Sequence, residues 1–175
     1  MSFLMPVYDT GITLNEVPDH ISFYVEFGNC QQGCRGCHSP HLCKPVANPM
    51  NMMDIVSLAR EAVEKGANAI VLMGGTTNGI SIGKLKYLIT WLNTLAPVCL
   101  YSGRDDYEED LALLMHSDLT WIKTGSYQED KGGLSSPTTN QVFLRKEKAD
   151  ESRFEFVDES CWFSKYDGTK FESGT

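Results

Sequence analysis

The sequence predicts an α/β fold in which four parallel strands form a curved sheet. Short apolar runs typical of buried strands alternate with segments whose apolar residues recur at helical spacing. The first two helical segments stop at Gly66 and Pro97, residues that commonly end helices. Because strands that alternate with helices form parallel sheets with right-handed crossovers, these units predict a partial (β/α) barrel, too short to close with eight strands.

The first strand of the predicted sheet covers residues 21–27. Ile21, Phe23, Val25 and Phe27 alternate with more polar residues, which indicates a strand with one buried face. Residues 1–20 lack this period, contain two prolines, and are expected to be irregular. Three cysteines follow the strand almost at once. They therefore lie at its predicted carboxyl end, where parallel α/β folds place their ligands.

Three further units of helix and strand follow. Helical spacing begins near Met52, and Ser81 is placed to cap a second helix. Acidic residues crowd the start of a third helix at 105–110, where they oppose the positive end of the helix dipole. The strands predicted after these helices are residues 69–73, 98–101 and 119–123.

The pattern changes after Gly125. Residues 128–141 are loop-like, and residues 142–144 and 154–157 are suited to pair as a terminal hairpin. The chain of 175 residues is long enough for one domain with a real core, and no linker divides it. We expect a single domain over residues 1–175, with a core at about 21–127 and a closing loop and tail at 128–175.

Composition limits the partners of the chain. A net charge of −8 and a pI near 4.9 argue against nucleic-acid binding through general electrostatics. No apolar stretch approaches bilayer length, and the first residues lack the features of a signal peptide. These observations predict a cytoplasmic protein with no membrane partner. Because cytoplasmic thiols stay reduced, clustered cysteines there indicate metal binding or catalysis more than disulfides.

The main functional signal is a group of three cysteines within eight residues: Cys30, Cys34 and Cys37. Three thiolates are one fewer than a closed zinc or iron–sulfur site uses, which leaves one metal position open for a substrate. A zinc ion completed by His38, or a disulfide with a spare thiol, remains an alternative. Cys99 lies in a predicted buried strand and is interpreted as a core residue, whereas Cys43 and Cys161 have no assigned role.

Four blocks of the sequence, in this order along the chain, resemble a known family. They are the cysteine segment with its Cys-His-Ser-Pro-His-Leu ending, the Gly-Gly strand end, Tyr-Ser-Gly-Arg, and a last block at residues 122–141. The cysteine spacing is similar to that of radical S-adenosylmethionine (SAM) enzymes. The last block, with Ile-Lys-Thr-Gly-Ser-Tyr and Ser-Pro-Thr-Thr-Asn-Gln, is similar to the anaerobic ribonucleoside-triphosphate reductase activating proteins. The first twenty residues and those after about 145 carry no resemblance.

The resemblance implies a fold, two cofactors and a reaction. The fold would be the short, curved radical SAM barrel, with a [4Fe–4S] cluster on the three cysteines and SAM on the fourth iron. The chain would be an oxidoreductase that cleaves SAM reductively and forms the glycyl radical of the class III ribonucleotide reductase. Its implied partners are the large subunit of that reductase and an electron donor such as a flavodoxin. Chemistry of this kind needs a cofactor, because no side chain makes a carbon radical unaided.

The resemblance also implies which residues contact SAM. Besides the cluster and SAM, no catalytic side chain is expected. Gly74 and Gly75 would let the backbone approach the ligand. Lys123 would neutralise the SAM carboxylate or be an ordinary surface lysine, and Thr76 stands where the family usually has an acidic residue. The implied contact residues are Gly36, Cys37, His38, Gly74, Gly75, Thr76, Ser102, Gly103 and Lys123.

Three other functions remain open at this stage. The first is an activase of another glycyl-radical enzyme such as pyruvate formate-lyase. The second is a non-catalytic zinc-binding module with three cysteines and His38. The third is an activase-like subunit that binds SAM poorly because of Thr76. The block at 123–141 favours the ribonucleotide reductase as partner. The loop at 128–141 and the tail are its candidate contact surfaces.

Overall fold

The structure is a computed structural model, and it describes residues 2–37 and 39–165. In this part of the chain the helices are α1 (Met52–Glu64), α2 (Ile82–Asn93), α3 (Tyr107–Met115), α4 (Cys161–Lys165) and a short 3-10 helix, Pro40–Cys43. The strands are β1 (Leu4–Met5), β2 (Val7–Thr13), β3 (Ser22–Phe27), β4 (Met50–Asn51), β5 (Ala69–Met73), β6 (Val98–Tyr101), β7 (Leu119–Thr124), β8 (Val142–Lys148) and β9 (Phe154–Asp158).

The main sheet has seven strands in the order β2-β3-β5-β6-β7-β8-β9. Its centre is parallel: β3, β5, β6 and β7 run in one direction. Antiparallel strands extend it on both sides, with β2 beside β3 and the pair β8–β9 beside β7. The α/β class, the four parallel strands and the terminal hairpin are confirmed, within a sheet that is mixed and mostly parallel.

The expectation that residues 1–20 are irregular was wrong. Strand β2 pairs with β3 from Val7 opposite Phe27 to Thr13 opposite Ser22, and β1 pairs with β4 in a small second sheet. Within β2 only Val7 is buried, because the strand lies at the edge of the sheet. An edge strand with little buried surface has no reason to alternate apolar and polar residues, so its sequence carried no period.

The predicted buried face of β3 needs one smaller correction. Phe23, Val25 and Phe27 are buried as expected, but Ile21 lies before the strand and is 45% exposed. Ser22 is fully buried instead. The strand therefore begins one residue later than the alternation suggested.

The sheet separates two hydrophobic cores. In β5, Ile70 and Leu72 pack with the helices in the larger core, whereas Val71 faces a smaller one that contains Trp121 and Phe143. A strand covered on both faces needs apolar residues at every position, which explains the unbroken run at 69–73. Cys99 belongs to the smaller core and is fully buried, as expected of a core residue.

The helix starts follow the predicted chemistry. The Ser81 hydroxyl accepts a hydrogen bond from the Lys84 N–H at 3.3 Å and so caps α2. Asp106 caps α3 in the same way, through the Glu109 N–H at 3.1 Å. Asp110 has a further role, because it is fully buried and binds the Arg104 guanidinium at 2.7 Å.

All four parallel strands end at one edge of the sheet. The connections that leave this edge are the cysteine segment after β3, the Gly-Gly segment after β5, the segment 102–106 after β6, and the closing loop, residues 128–141, after β7. Ligands of parallel α/β folds bind at this edge. No helix in the described part of the chain is long and apolar enough to cross a membrane.

Candidate functional site

A cavity of about 170 Å³ lies at the carboxyl edge of the parallel strands. All three cysteines of the predicted cluster line it, together with a thiol that carried no assigned role, Cys43. From the sheet and the following segments come Phe27, Met73, Gly74, Thr77, Asn78, Tyr101, Gly103, Lys123, Tyr127 and Gln141. The fold thus brings together the cysteine segment and parts of the other three sequence blocks.

The wall that the sheet contributes is a row of side chains across three strands. Met73 pairs with Tyr101, and Tyr101 pairs with Lys123, at the ends of β5, β6 and β7. Residues opposite each other in parallel strands point to the same face of the sheet. The three side chains therefore form one continuous surface opposite the cysteines.

Backbone hydrogen bonds fix the two ends of the cysteine segment. The Cys30 N–H donates to the Leu42 carbonyl at 2.8 Å, and the Gln31 N–H donates to the Thr77 carbonyl at 2.8 Å. Within the segment, the Cys37 N–H donates to the Cys34 carbonyl at 3.2 Å. The first cysteine is thus held to the Gly-Gly segment on one side and to the 3-10 helix on the other.

Two of the thiols are hydrogen-bonded near the cavity. Cys30 Sγ lies 3.4 Å from Thr77 Oγ1, and the Ser39 N–H donates to Cys37 Sγ at 3.4 Å. Donors directed at ligand sulfurs tune the potential of an iron–sulfur group. Burial raises the pKa of the third thiol, Cys34, although a hydrogen bond from the Tyr127 backbone opposes this effect.

Asn78 joins the Gly-Gly segment to the end of β3. Its Oδ1 accepts from the Gly75 N–H at 2.7 Å, while its Nδ2 donates to the carbonyls of Phe27 and Gly28 at 3.2 and 2.7 Å. The side chain is 2% exposed. Because a buried amide uses both its donor and acceptor groups here, it fixes the distance between the two segments that border the cavity.

The two glycines after β5 serve different purposes. Both have positive φ, +101° at Gly74 and +118° at Gly75, a conformation that glycine adopts without strain. Gly74 lines the cavity, and a Cβ there would lie 3.0 Å from Asn78 Oδ1. A Cβ on Gly75 would lie 3.1 Å from a Leu85 methyl, on the helix side of the sheet. Only Gly74 therefore borders the site directly.

Several predicted contact residues lie beside the cavity without lining it. Thr76 Oγ1 and Ser102 Oγ are 3.0 Å apart and join the ends of β5 and β6. Gly36 is exposed, and a Cβ there would meet the Glu129 side chain of the closing loop at 2.8 Å. Cys37, Gly74, Gly103 and Lys123 do line it. His38, as SAM contact or zinc ligand, lies outside the described residues.

Lys123 is half-buried, so the interpretation as an ordinary surface lysine was wrong. Its Nζ lies 5.3 Å from the centre of the Tyr101 ring. Burial lowers the pKa of Lys123, and the largest opposing influence is the charge of the Cys34 thiolate. A cation held in this position is available to an anionic group that enters the cavity.

A second cavity, of about 450 Å³, lies on the face of the sheet that carries the smaller core. It shares Tyr101, Lys123 and Gln141 with the first cavity. The Tyr101 hydroxyl donates to the Glu16 carbonyl at 2.5 Å, and burial raises the pKa of the Glu16 carboxyl. The remaining lining residues are Asn15, Glu16, Leu134, Ser135, Trp162 and Phe163. The closing loop and α4 therefore border this second space.

The closing loop is more ordered than the sequence suggested. Thr138 Oγ1 donates to the Lys131 carbonyl at 2.8 Å, and Thr139 Oγ1 donates to the Gly132 carbonyl at 3.2 Å. Gln141 Nε2 donates to the Gly125 carbonyl at 3.2 Å. The small polar residues of the loop thus serve its own conformation, with Gln141 placed between the two cavities.

The site residues that the sequence analysis missed are Thr77, Asn78 and Tyr101. All three lie inside or next to the quoted sequence blocks, but polar residues after Gly-Gly indicate only a turn. Their roles depend on pairing with segments that are distant in the chain: 47 residues separate Cys30 from Thr77, and 85 separate Glu16 from Tyr101.

The cavity offers four thiols as possible metal donors. Among the side chains that the structure describes, no three of His, Cys, Asp or Glu lie close enough together to hold one metal ion as they stand. All of these thiols line one cavity, and soft sulfur ligands suit both zinc and iron–sulfur clusters. Neither a protein-family model, nor a curated protein, nor a solved structure matches the chain.

Proposed function

We propose that this chain is a radical SAM activase that forms the glycyl radical of the class III, anaerobic ribonucleoside-triphosphate reductase. The observation that carries the proposal is the single cavity lined by Cys30, Cys34 and Cys37, by Gly74 and Gly103, and by Lys123. Residues from four separate parts of the sequence meet there, and they are the parts that resemble this family.

Cys30, Cys34 and Cys37 would hold the cluster, which would bind SAM as well. When bound, the [4Fe–4S] cluster would supply the electron that cleaves SAM reductively, and the resulting carbon radical would remove a hydrogen atom from a glycine. The protein contributes position and charge. Thr77 Oγ1 and the Ser39 N–H contact the sulfurs of Cys30 and Cys37, and the Cys34 thiol is partly shielded from water.

The polar surroundings of the cavity suit the amino-acid part of SAM. Lys123 is placed to bind the carboxylate, because its ammonium group is half-buried and borders the cavity. The positive φ of Gly74 turns the backbone away from the strand without a side chain in the way. Thr76 and Ser102 lie next to this backbone and supply hydroxyl groups where the family has a carboxylate.

The second cavity is the approach that we assign to the partner glycine. It borders Lys123 and Tyr101, which also line the cysteine cavity, and the closing loop contributes Leu134 and Ser135 to it. A protein loop that enters here reaches the residues shared by both cavities. With a net charge of −8, local shape and hydrogen bonding must carry recognition of an acidic partner.

The test is anaerobic reconstitution with iron and sulfide, followed by reduction with dithionite in the presence of SAM. The proposal predicts 5′-deoxyadenosine and methionine as products, and a glycyl radical by electron paramagnetic resonance when the large subunit of a class III reductase is added. Cys37→Ala should abolish both. Cys161→Ala is the matched control, since Cys161 is an exposed cysteine that lines neither cavity.

Two results would contradict the proposal. A colourless protein that binds one zinc ion and no sulfide would favour the zinc-binding module. A radical on pyruvate formate-lyase, with none on the ribonucleotide reductase, would assign the chain to the other class of activase.

A further inference from the structure

A fourth thiol borders the cavity, and the proposed function does not use it. Cys43 is the last residue of the 3-10 helix Pro40–Cys43, lines the same cavity as the three cluster cysteines, and is exposed to solvent on its other side. The cavity therefore has four sulfurs where the proposed cluster needs three.

The backbone holds Cys43 in this position from both sides. The residue before it, Leu42, accepts a hydrogen bond from the Cys30 N–H at 2.8 Å. The residue after it, Lys44, accepts one from the Asn29 N–H at 3.1 Å. Asn29 Oδ1 also accepts from the Val46 N–H at 2.7 Å, which extends the same contact.

These bonds have a geometric consequence. The segment 42–46 runs beside residues 29–30, so Cys43 cannot leave the neighbourhood of Cys30 unless this pairing opens. A thiol that is fixed beside another cysteine and borders the same cavity as three further thiols is in position to act as a metal ligand.

We propose that Cys43 is a fourth thiolate ligand of the cluster, which binds the open iron while SAM is absent and is displaced by SAM. The inference rests on the proposed function, because it assumes the cluster on Cys30, Cys34 and Cys37. Without SAM the four cysteines form a closed set of the kind that structural iron–sulfur sites use. The fourth iron is then shielded from water and from oxidants.

The exchange of ligands is balanced and involves no oxidation. When SAM arrives, its amino and carboxylate groups form bonds to iron, and the bond between iron and Cys43 Sγ breaks. Cys43 leaves as a thiolate and takes up a proton from solvent, to which it is exposed. The pairing of segment 42–46 with residues 29–30 keeps the displaced thiol close enough to return after the products leave.

The experiment compares four reconstituted proteins without SAM: wild type, Cys43→Ala, Cys43→Ser and Cys161→Ala. Each is treated anaerobically with ferricyanide, and the loss of the open iron is read as the [3Fe–4S] signal in electron paramagnetic resonance. An iron without a protein ligand is lost most easily, so Cys43→Ala should give a several-fold larger signal than wild type. Cys161→Ala should match wild type, and prior addition of SAM should remove the difference.

The outcomes separate this inference from the proposed function. If wild type binds a cluster and cleaves SAM, but Cys43→Ala and Cys43→Ser lose iron no faster than wild type, the role of Cys43 is wrong and the activase stands. If no variant assembles iron and sulfide, both are wrong. Because Cys43 is exposed, neither substitution removes core packing, and circular dichroism confirms the fold of each variant.

Discussion

The side-chain amide of Asn78 donates a 2.7 Å hydrogen bond to the carbonyl of Gly28, 50 residues earlier in the chain. Gly28 leads from strand β3 into the cysteine segment, and Asn78 belongs to the segment after β5. The bond therefore fixes how the two walls of the cysteine cavity meet. The same amide accepts from the Gly75 N–H, so the position of the Gly-Gly turn depends on it as well.

Replacement of Asn78 should destabilise the protein and loosen the site together. Asn78→Ala leaves buried backbone groups without partners, which costs about 1–3 kcal/mol of the free energy of unfolding for each such group. Asn78→Asp keeps the acceptor for Gly75 but loses the donors to Phe27 and Gly28. Urea unfolding measures the free energy of unfolding of both variants.

The matched control is Asn93→Ala, an exposed asparagine at the end of α2, which should change stability by no more than about 0.5 kcal/mol. A stability of Asn78→Ala equal to that of the control would show that the amide does not hold the two walls together.

Thr76→Asp should tighten SAM binding. A carboxylate at this position would add a charge-assisted bond to the SAM ammonium, of about 1.5–3 kcal/mol when well made, and the Ser102 hydroxyl remains able to donate to it. The measurement is a SAM titration of the reconstituted protein. Thr76→Asn has the same shape without the charge and should not tighten binding. Equal affinities for all three proteins would mean that another group already binds the ammonium.

Asp105 gives the protein an acid-sensitive contact next to the site. The Ser126 hydroxyl donates a hydrogen bond to the Asp105 carboxylate at 2.5 Å, and the Ser126 N–H donates another at 2.8 Å. Both hydrogen bonds lower the pKa of the Asp105 carboxyl. A carboxyl whose pKa is lower in the folded state stabilises the fold above its ordinary pKa, and this stabilisation is lost as pH falls through the folded value. Ser126→Ala should therefore be less stable than wild type at neutral pH, by a margin that shrinks in acid.

Urea unfolding of the cluster-free protein between about pH 7 and pH 3 measures this margin, since the ordinary aspartate pKa is about 3.9. In an Asp105→Asn background, Ser126→Ala should change stability by an amount that does not depend on pH. A pH-dependent margin in that background would assign the effect to another carboxyl.

The closing loop should affect the partner reaction more than SAM cleavage. Thr138→Val with Thr139→Val removes the hydroxyls that bond the Lys131 and Gly132 carbonyls, and neither residue lines a cavity. We expect uncoupled SAM cleavage to persist while the yield of glycyl radical on the reductase falls. Gln141→Leu is the contrasting variant, because Gln141 lines both cavities and should lower both activities. Parallel loss of both activities in the threonine double variant would place partner recognition elsewhere.

Local patterns in the sequence were sufficient for the centre of the fold. The strand Ala69–Met73 is apolar at every position because both of its faces are buried, and Ser81 shows the start of α2. The edge strand β2 was missed because only Val7 in it is buried and its residues follow no period. The polar residues that line the site could not be predicted from the sequence either. Asn78 and Thr77 act through contacts with segments about fifty residues away in the chain.

The central claim is that Cys30, Cys34 and Cys37 hold an iron–sulfur cluster, whereas the buried Cys99 takes no part in it. Iron and sulfide analysis of anaerobically reconstituted wild type, Cys34→Ala and Cys99→Ala tests it most directly. The account predicts about four irons and four sulfides per chain in wild type and in Cys99→Ala, whose fully buried side chain should cost only about 1 kcal/mol of stability. Cys34→Ala should lose the cluster and its brown colour while it remains folded. A full complement of iron and sulfide in Cys34→Ala would contradict the account.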